Sequence, residues 1–451
     1  SLSKFFNNFS KIKYHHLNFF MSTPPIRIAF HTMGCKLNFA ETSTLSREFI
    51  EHGYQRVSYK DIADVYVINT CSVTDKADKE ARKLIRQAKR RNPNSSLAVI
   101  GCYAQLKSKE IANIEGVDLV LGSEHKFNLL QHIEKINLNN NISVHWSEIE
   151  HVNHFRPSYS FGERTRSYLK IQDGCNYTCS FCTIPLARGK SRSGTVEDTI
   201  KTAQRIAKTK KVKEIVITGV NIGDFGLHNG ESLIQLLREM DELEYIERIR
   251  ISSIEPNLLS DEIIEFCNGS KKFMPHFHIP LQSGSDRILK LMRRRYNTDY
   301  YQTLIEKIKN INKDTCIGVD VIVGFPGETD SDFLATYEFL SSIDISYLHV
   351  FSYSKRRNTD AYSYINHVSK NNKSERSKTL HNLSNKKRYA FYNKFLNQKR
   401  KVLYEGIKNG KVVGHTDNYV RVEVEPNVQL INSVRRTRLL NNLGDSLFGR
   451  I

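Results

Sequence analysis

The chain is poor in several things. No stretch of its 451 residues approaches the ~18 consecutive apolar residues of a membrane span, so no membrane partner is expected. The first twenty residues mix Phe with Lys, Asn and His and lack the continuous apolar run of a signal peptide. Residues 1–25 are expected to be a disordered extension or an upstream mis-start. Cysteine is sparse, with eight in the chain, which excludes a disulfide scaffold. A reducing, cytoplasmic compartment is expected, in which cysteines serve as metal ligands or core residues. Tryptophan occurs once, as Trp146. Acidic residues are short, 48 against 67 Lys and Arg, leaving a net charge of +19, which points to a polyanionic partner. Hydrophobic residues are 39% of the chain, below the usual ~45–50%. The 23 Phe and 21 Tyr still supply material for cores, so global disorder is excluded.

At roughly 150 residues per domain the length suggests about three domains. Residues 26–145 alternate short apolar strands (RIAFHTMG, DVYVINT, SLAVIG, VDLVLG) with helical patterns, which predicts a doubly wound parallel α/β domain. A polar linker is expected over 146–165. From 166 to 372 a second alternation carries six strands, SYLKIQ, EIVITGV, RIRISSI, FHIPLQ, IGVDVIVGF and YLHVFSY. Six units are too few for an eight-fold barrel, so an open, partial (β/α)6 barrel is expected. Residues 373–401 read as a long basic helix, and residues 402–451, rich in short strands broken by Gly and Asn, as a small antiparallel β-barrel.

The cysteines carry the chemistry. Cys175, Cys179 and Cys182 have the spacing C-x3-C-x2-C; chance would give about 0.003 such triplets in a chain this long. A closed zinc site needs a fourth ligand, and no obvious Cys or His follows nearby. Three thiolates suit a [4Fe–4S] cluster with one iron left open. The loop follows the first strand of the second alternation, at the rim where barrel enzymes place their sites. A second set, Cys35, Cys71 and Cys102, is scattered in sequence, but each lies just after a predicted parallel strand. Parallel strands bring such loops to one edge of the sheet, and Gly34 and Gly101 would let the backbone approach a cluster closely. Three independent core cysteines is the alternative. Cys267 and Cys316 are expected in the core.

The C-x3-C-x2-C loop, with Phe181 before its third Cys, resembles the radical S-adenosylmethionine (radical SAM) enzymes. The two triads together, with GCKLN, NTCSVTDKAD, GCYAQ, CTIPLARGKSRSG, HIPLQSGSDRILKLMRRRY and DVIVGFPGET, resemble the methylthiotransferases, and most closely their bacterial branch acting on threonylcarbamoyladenosine in tRNA. The resemblance implies an N-terminal cluster domain, a radical SAM barrel and a C-terminal RNA-binding (TRAM) barrel. It implies two [4Fe–4S] clusters, on Cys175, Cys179 and Cys182 and on Cys35, Cys71 and Cys102. One S-adenosylmethionine would methylate a sulfur held by the second cluster; another would yield a 5′-deoxyadenosyl radical. The methylthio group would enter C2 of adenine at position 37, an unactivated C–H that acid–base side chains alone cannot replace. By analogy Phe181, Gly219, Asn221, Ser253, Glu255, Gln282, Asp320 and Phe351 would line the cofactor or substrate. An electron donor such as a flavodoxin or ferredoxin is implied; the sulfur donor is not.

Basic residues concentrate in Lys76–Arg91, Arg188–Arg192, Arg293–Arg295, Lys355–Arg357 and the 373–401 helix. Such groups give salt-dependent affinity for phosphates. Arg188, Arg192, Arg356, Arg357 and Arg421 are expected to contact an anticodon stem-loop, with Tyr419 stacking on a base. Three other readings stay open: isopentenyladenosine in tRNA, an aspartate on a small-subunit ribosomal protein, and a non-catalytic iron–sulfur RNA-binding protein.

Overall fold

The computed structural model describes residues 24–72, 74–139, 142–162 and 165–451. The expected extension, residues 1–25, lies almost wholly outside them. The N-terminal part is one parallel sheet with the order β2-β1-β3-β4-β5-β6. Its strands are β1 (Arg27–Thr32), β2 (Gln55–Val57), β3 (Val65–Thr70), β4 (Ser96–Gly101), β5 (Leu119–Leu121) and β6 (Ser143–His145). Apolar clusters cover both faces, one around Ile68, Val99 and Ala81, the other around Val67, Ile100 and Phe49. That two-sided burial is why β3 and β4 read as unbroken apolar runs. The short edge strands β2 and β6 carry no such run, and β6 begins inside the polar stretch that leads into the expected linker.

The stretch expected to be a linker also holds β7 (Ser158–Tyr159), which pairs antiparallel with β8 (Arg166–Lys170). A small ladder joins β9 (Gln172–Asp173) to β10 (Arg192–Ser193). The wall continues in parallel through β11 (Glu214–Thr218) and β12 (Arg248–Ile251). Bridges Ile249–Phe273 and Ser253–His278 carry it to β13 (His276–His278), β14 (Cys316–Val323) and β15 (Tyr347–Ser352). The six expected strands are thus present and the barrel is open. Outward residues such as Ile215, Ile217 and Ile249 pack under the surrounding helices. Inward, Tyr168 and Val216 meet Ala40 and Phe39 of the helix Lys36–Glu51, so the N-terminal part packs against the inner face of the open wall.

The basic helix spans Lys370–Asn393 rather than 373–401. Asn397 adopts φ +65° and its N–H binds the Leu439 carbonyl at 2.7 Å, which turns the chain into β16 (Lys399–Lys408). With β17 (Lys411–Thr416), β18 (Arg421–Val424), β19 (Ser433–Asn442) and β20 (Leu447–Arg450) it forms a closed barrel. All its seams are antiparallel except β18–β20, which is parallel. Asn409-Gly410, both at positive φ, make the tight β16–β17 turn. Cys267 and Cys316 are buried, as expected. Gly414 of β17 faces the neighbouring strand so closely that a Cβ would lie 2.3 Å from the Leu403 carbonyl oxygen. Gly414→Ala should therefore destabilise the chain by about 1–3 kcal/mol, read as a lowered urea midpoint.

Candidate active site at the mouth of the barrel

The loop after β9 begins at Gly174, whose φ is +70° and whose Cβ, if present, would lie 2.0 Å from the Lys190 carbonyl oxygen. Only glycine permits that crossing, and it delivers Cys175, whose N–H binds the Gly189 carbonyl at 3.0 Å. The Tyr177 N–H points at Cys175 Sγ (3.4 Å), and Arg294 donates to Cys179 Sγ at 3.2 Å. Arg294 is in turn ion-paired with Glu255. Burial pushes the Cys175 and Cys182 thiols up to about 12, and Cys179 upward as well. Such thiols ionise only where positive charge offsets the loss of water, as metal ions do.

Cys35, Cys71 and Cys102 follow β1, β3 and β4, three adjacent strands of the sheet. The structure therefore brings them to one edge. Gly34, at φ +88°, lies against Cys71: a Cβ there would be 2.7 Å from Cys71 Cβ and 3.0 Å from its sulfur. Gly101 serves another purpose. Its missing Cβ faces Asn69 and the Thr70 backbone on β3, so it permits strand contact rather than approach to a cluster. Burial raises the Cys102 thiol, while Arg188 and Lys126 pull it down.

Neither triad fits a single ion. The donor set among the described residues that closes to within 4.8 Å is His278, Asp320 and His349, not a cysteine triad. A tetrahedral zinc ion needs sulfurs within about 3.8 Å of one another; a polynuclear iron–sulfur cluster holds its ligands farther apart. The donor chemistry, three thiols at each place and no fourth ligand among the described residues, fits two such clusters.

A buried charge network joins the two triads. Glu41, on the helix that Cys35 begins, accepts from Lys126 (2.7 Å), Lys170 (2.8 Å) and Arg188 (3.1 Å). Asp173, just before the second loop, pairs with Lys170 (2.7 Å) and Arg188 (2.9 Å). Burial alone would raise the Glu41 carboxyl, but Arg188, Lys126 and Lys170 outweigh it and hold it well below the usual carboxylate range. Arg188 also donates to Asn38, which binds the Met33 and Thr70 carbonyls beside Cys35 and Cys71.

This corrects three expectations. Arg188 is enclosed by Glu41 and Asp173, so it cannot reach a phosphate. Arg192 is buried as well, donating to the carbonyls of Arg188, Lys190 and His154. Arg356 is buried against Asp75, Asp78 and the Ser72 carbonyl, where it clamps the Cys71 loop to the barrel. Arg357 is exposed. Arg421 pairs with Glu423 at 3.0 Å. Tyr419 stacks on His415 (4.8 Å) and packs on His276 and Arg250, between the two barrels.

Phe181, Gln282, Asp320 and Phe351 meet around a cavity of about 240 Å³ that also touches Cys182. Burial raises the Asp320 carboxyl, but hydrogen bonds from His278 (2.7 Å) and His349 (3.1 Å) outweigh it and hold it low. Gly219, Asn221, Ser253 and Glu255 lie outside that cavity's lining. Gly219 packs on Gln172, whose Oε1 accepts the Asn221 N–H (2.8 Å); the buried Asn221 Oδ1 has no partner. A larger cavity, about 1010 Å³, is lined by Ser72, Gln105 and Thr183, from the Cys71 loop, the helix begun by Cys102 and the residue after Cys182. Sequence reasoning assigned no role at the site to Glu41, Lys126, Asp173, Arg294, His278 or His349; His278 and Arg294 fall within HIPLQSGSDRILKLMRRRY, but no spacing singles them out.

The model of "Uncharacterized protein family UPF0004" matches residues 27–122 and that of the radical SAM superfamily matches residues 169–340. The threonylcarbamoyladenosine tRNA methylthiotransferase MtaB of Bacillus subtilis (strain 168) is 39% identical, covering 92% of this chain and 93% of the relative. Its namesake from Aquifex aeolicus (strain VF5) is 41% identical, covering 89% and 97%. The chain belongs to the radical SAM methylthiotransferases. A tRNA-2-methylthio-N(6)-dimethylallyladenosine synthase of Methylacidiphilum infernorum (isolate V4), a member of the same family, is 33% identical over 93% of each chain. Among solved structures, the radical SAM methyltransferase TsrM of Kitasatospora setae matches with a TM-score of 0.55 at 12% identity, covering 75% of this methylthiotransferase and 77% of that chain; this is a likeness of fold. No helix of the described residues is long and apolar enough to cross a membrane.

Replacing Glu41 by Gln would leave Lys126, Lys170 and Arg188 short of one buried counter-charge. Glu41→Gln should cost about 3–5 kcal/mol at pH 7. Because the native carboxyl is held low, its contribution is complete above the unfolded carboxylate range and is lost as pH falls below it. Urea denaturation from pH 7 down to pH 3 should thus show the wild type losing its advantage over the variant toward the acid end.

Proposed function

We propose that this methylthiotransferase inserts a methylthio group at C2 of N6-threonylcarbamoyladenosine at position 37, next to the anticodon of tRNA. The observation that carries the reading is the larger cavity, whose lining includes Ser72, Gln105 and Thr183, close in sequence to Cys71, Cys102 and Cys182. Cys175, Cys179 and Cys182 would hold the radical cluster and Cys35, Cys71 and Cys102 the auxiliary one. When bound, the clusters and S-adenosylmethionine supply the electron, the radical and the sulfur that no side chain offers.

The protein's own residues do the rest. The Glu41–Arg188 network fixes the spacing between the triads, as positioned reactants require. Arg294, held by Glu255, donates to Cys179 and adds positive charge beside its sulfur. The cavity touching Phe181, Gln282, Asp320 and Phe351 receives S-adenosylmethionine. Exposed cations at the rim of the larger cavity, Lys355 and Arg357, and the exposed face of the helix Asp75–Arg91, attract the anticodon stem-loop. The C-terminal barrel from 402 onward grips RNA as a TRAM domain. A flavodoxin or ferredoxin in a reducing, cytoplasmic compartment delivers the electron.

Two relatives named for threonylcarbamoyladenosine, at 39% and 41% identity, stand above a relative named for dimethylallyladenosine, at 33%, which favours the first substrate. The test uses reconstituted full-length enzyme, dithionite and both stem-loop RNAs. Threonylcarbamoyladenosine RNA should gain the methylthio group and the isopentenyl RNA should not. Cys179→Ala should abolish both 5′-deoxyadenosine and product; Cys71→Ala should abolish product and leave some 5′-deoxyadenosine. Equal loss of 5′-deoxyadenosine in both variants would contradict the two roles.

A further inference from the structure

The inner wall of the barrel is rich in charge, and nearly all of it is paired. Arg248 and Arg250 hold Glu214 at 2.8 and 3.1 Å, and Arg166 holds Glu405 at 2.8 Å. Lys170 is committed to Glu41 and Asp173. Lys36 is the exception. It has no ion pair or hydrogen bond among the described residues, and its side chain remains accessible to solvent.

Its position in the helix Lys36–Glu51 fixes where it stands. Residues three and four apart share a helix face, and Phe39 and Ala40 are the residues that pack on Tyr168 and Val216 of the inner wall. Lys36 therefore stands on the wall-facing side, one turn before them and directly after Cys35. It lies within electrostatic range of Arg166 and Arg250. The Arg250 Nη1 is buried and lacks an acceptor. At this level of the wall Lys36 and three arginines face Glu214 and Glu405, so positive charge is in excess. An unpaired cation beside other cations becomes favourable when an anion arrives.

We propose that Lys36 binds the carboxylate of the threonylcarbamoyl group and so selects that nucleoside over neutral N6-substituted adenosines. The inference rests on the substrate reading above. C2 and N6 flank N1 on one edge of adenine. A base offering C2 to the sulfur held near Cys35 turns its N6 substituent to the same side, within reach of the four-carbon stem of the next residue. A lysine ammonium is a compact point charge on a flexible stem, suited to a carboxylate at the end of a short chain.

The test compares binding of two anticodon stem-loop RNAs to the reconstituted full-length enzyme by fluorescence anisotropy. One carries threonylcarbamoyladenosine and the other its carboxyl methyl ester. The wild type should bind the acid roughly 10- to 100-fold tighter than the ester, the scale of a charge-assisted hydrogen bond. Lys36→Gln should bring the ratio close to one by weakening the acid alone, and Lys36→Arg should restore part of it. A wild-type ratio near one, an unchanged ratio in Lys36→Gln, or equal weakening of acid and ester would overturn the proposal. The wild-type ratio does not depend on any variant folding. Methylthiolation of isopentenyladenosine RNA in place of threonylcarbamoyladenosine RNA would bring down the substrate reading itself, and this proposal with it.

Discussion

Everything at the mouth of the barrel depends on a buried carboxylate. Glu41 is fully buried and is met by Lys126, Lys170 and Arg188. A charge taken out of water costs several kcal/mol and is tolerated only when paired. The three cations come from three places: the helical turn after β5, the first wall strand of the barrel, and the short helix after Cys182. Satisfying Glu41 therefore requires the N-terminal sheet, the barrel wall and the cysteine loop to dock in one arrangement. The specificity of that docking is what such a network provides, more than stability.

The arrangement has a second consequence. Lys126, Lys170, Arg188 and Arg192 face Glu41 and Asp173, so the cations outnumber the carboxylates. The surplus lies toward Cys35 and Cys102; against its burial, Asp173 and Glu41 first, and these two cysteines after them, hold the Arg188 guanidinium firmly protonated. Thiolates around iron would find that surplus already in place. The same logic recurs at Cys179, where Arg294 supplies the charge. Lys36 extends the pattern to the substrate: the inner wall pairs its arginines with glutamates, and Lys36 stays accessible beside Cys35.

Much of this was legible in the sequence, for identifiable reasons. Strands buried on both faces announce themselves as apolar runs, and that placed Cys35, Cys71 and Cys102 just beyond β1, β3 and β4. The C-x3-C-x2-C spacing is local and needs no fold to be seen. What escaped was whatever depends on long-range pairing. Arg188, Arg192 and Arg356 look like solvated phosphate contacts in a basic run. Their counter-charges Glu41, Asp173, Asp75 and Asp78 are distant in sequence or, in a charged run, unremarkable. The end of the 370–393 helix was missed because nothing local stops it: the Asn397 turn is held by Leu439, from a strand whose run of arginines hid its alternation. His278 and His349 escaped because only the wall brings them to Asp320.

The most direct test of the account is nucleoside mass spectrometry on bulk tRNA from cells with and without this gene. The account predicts that 2-methylthio-N6-threonylcarbamoyladenosine disappears and that threonylcarbamoyladenosine accumulates in its place, with methylthio-isopentenyladenosine unchanged. An unaltered level of the methylthio-threonylcarbamoyl nucleoside would contradict it.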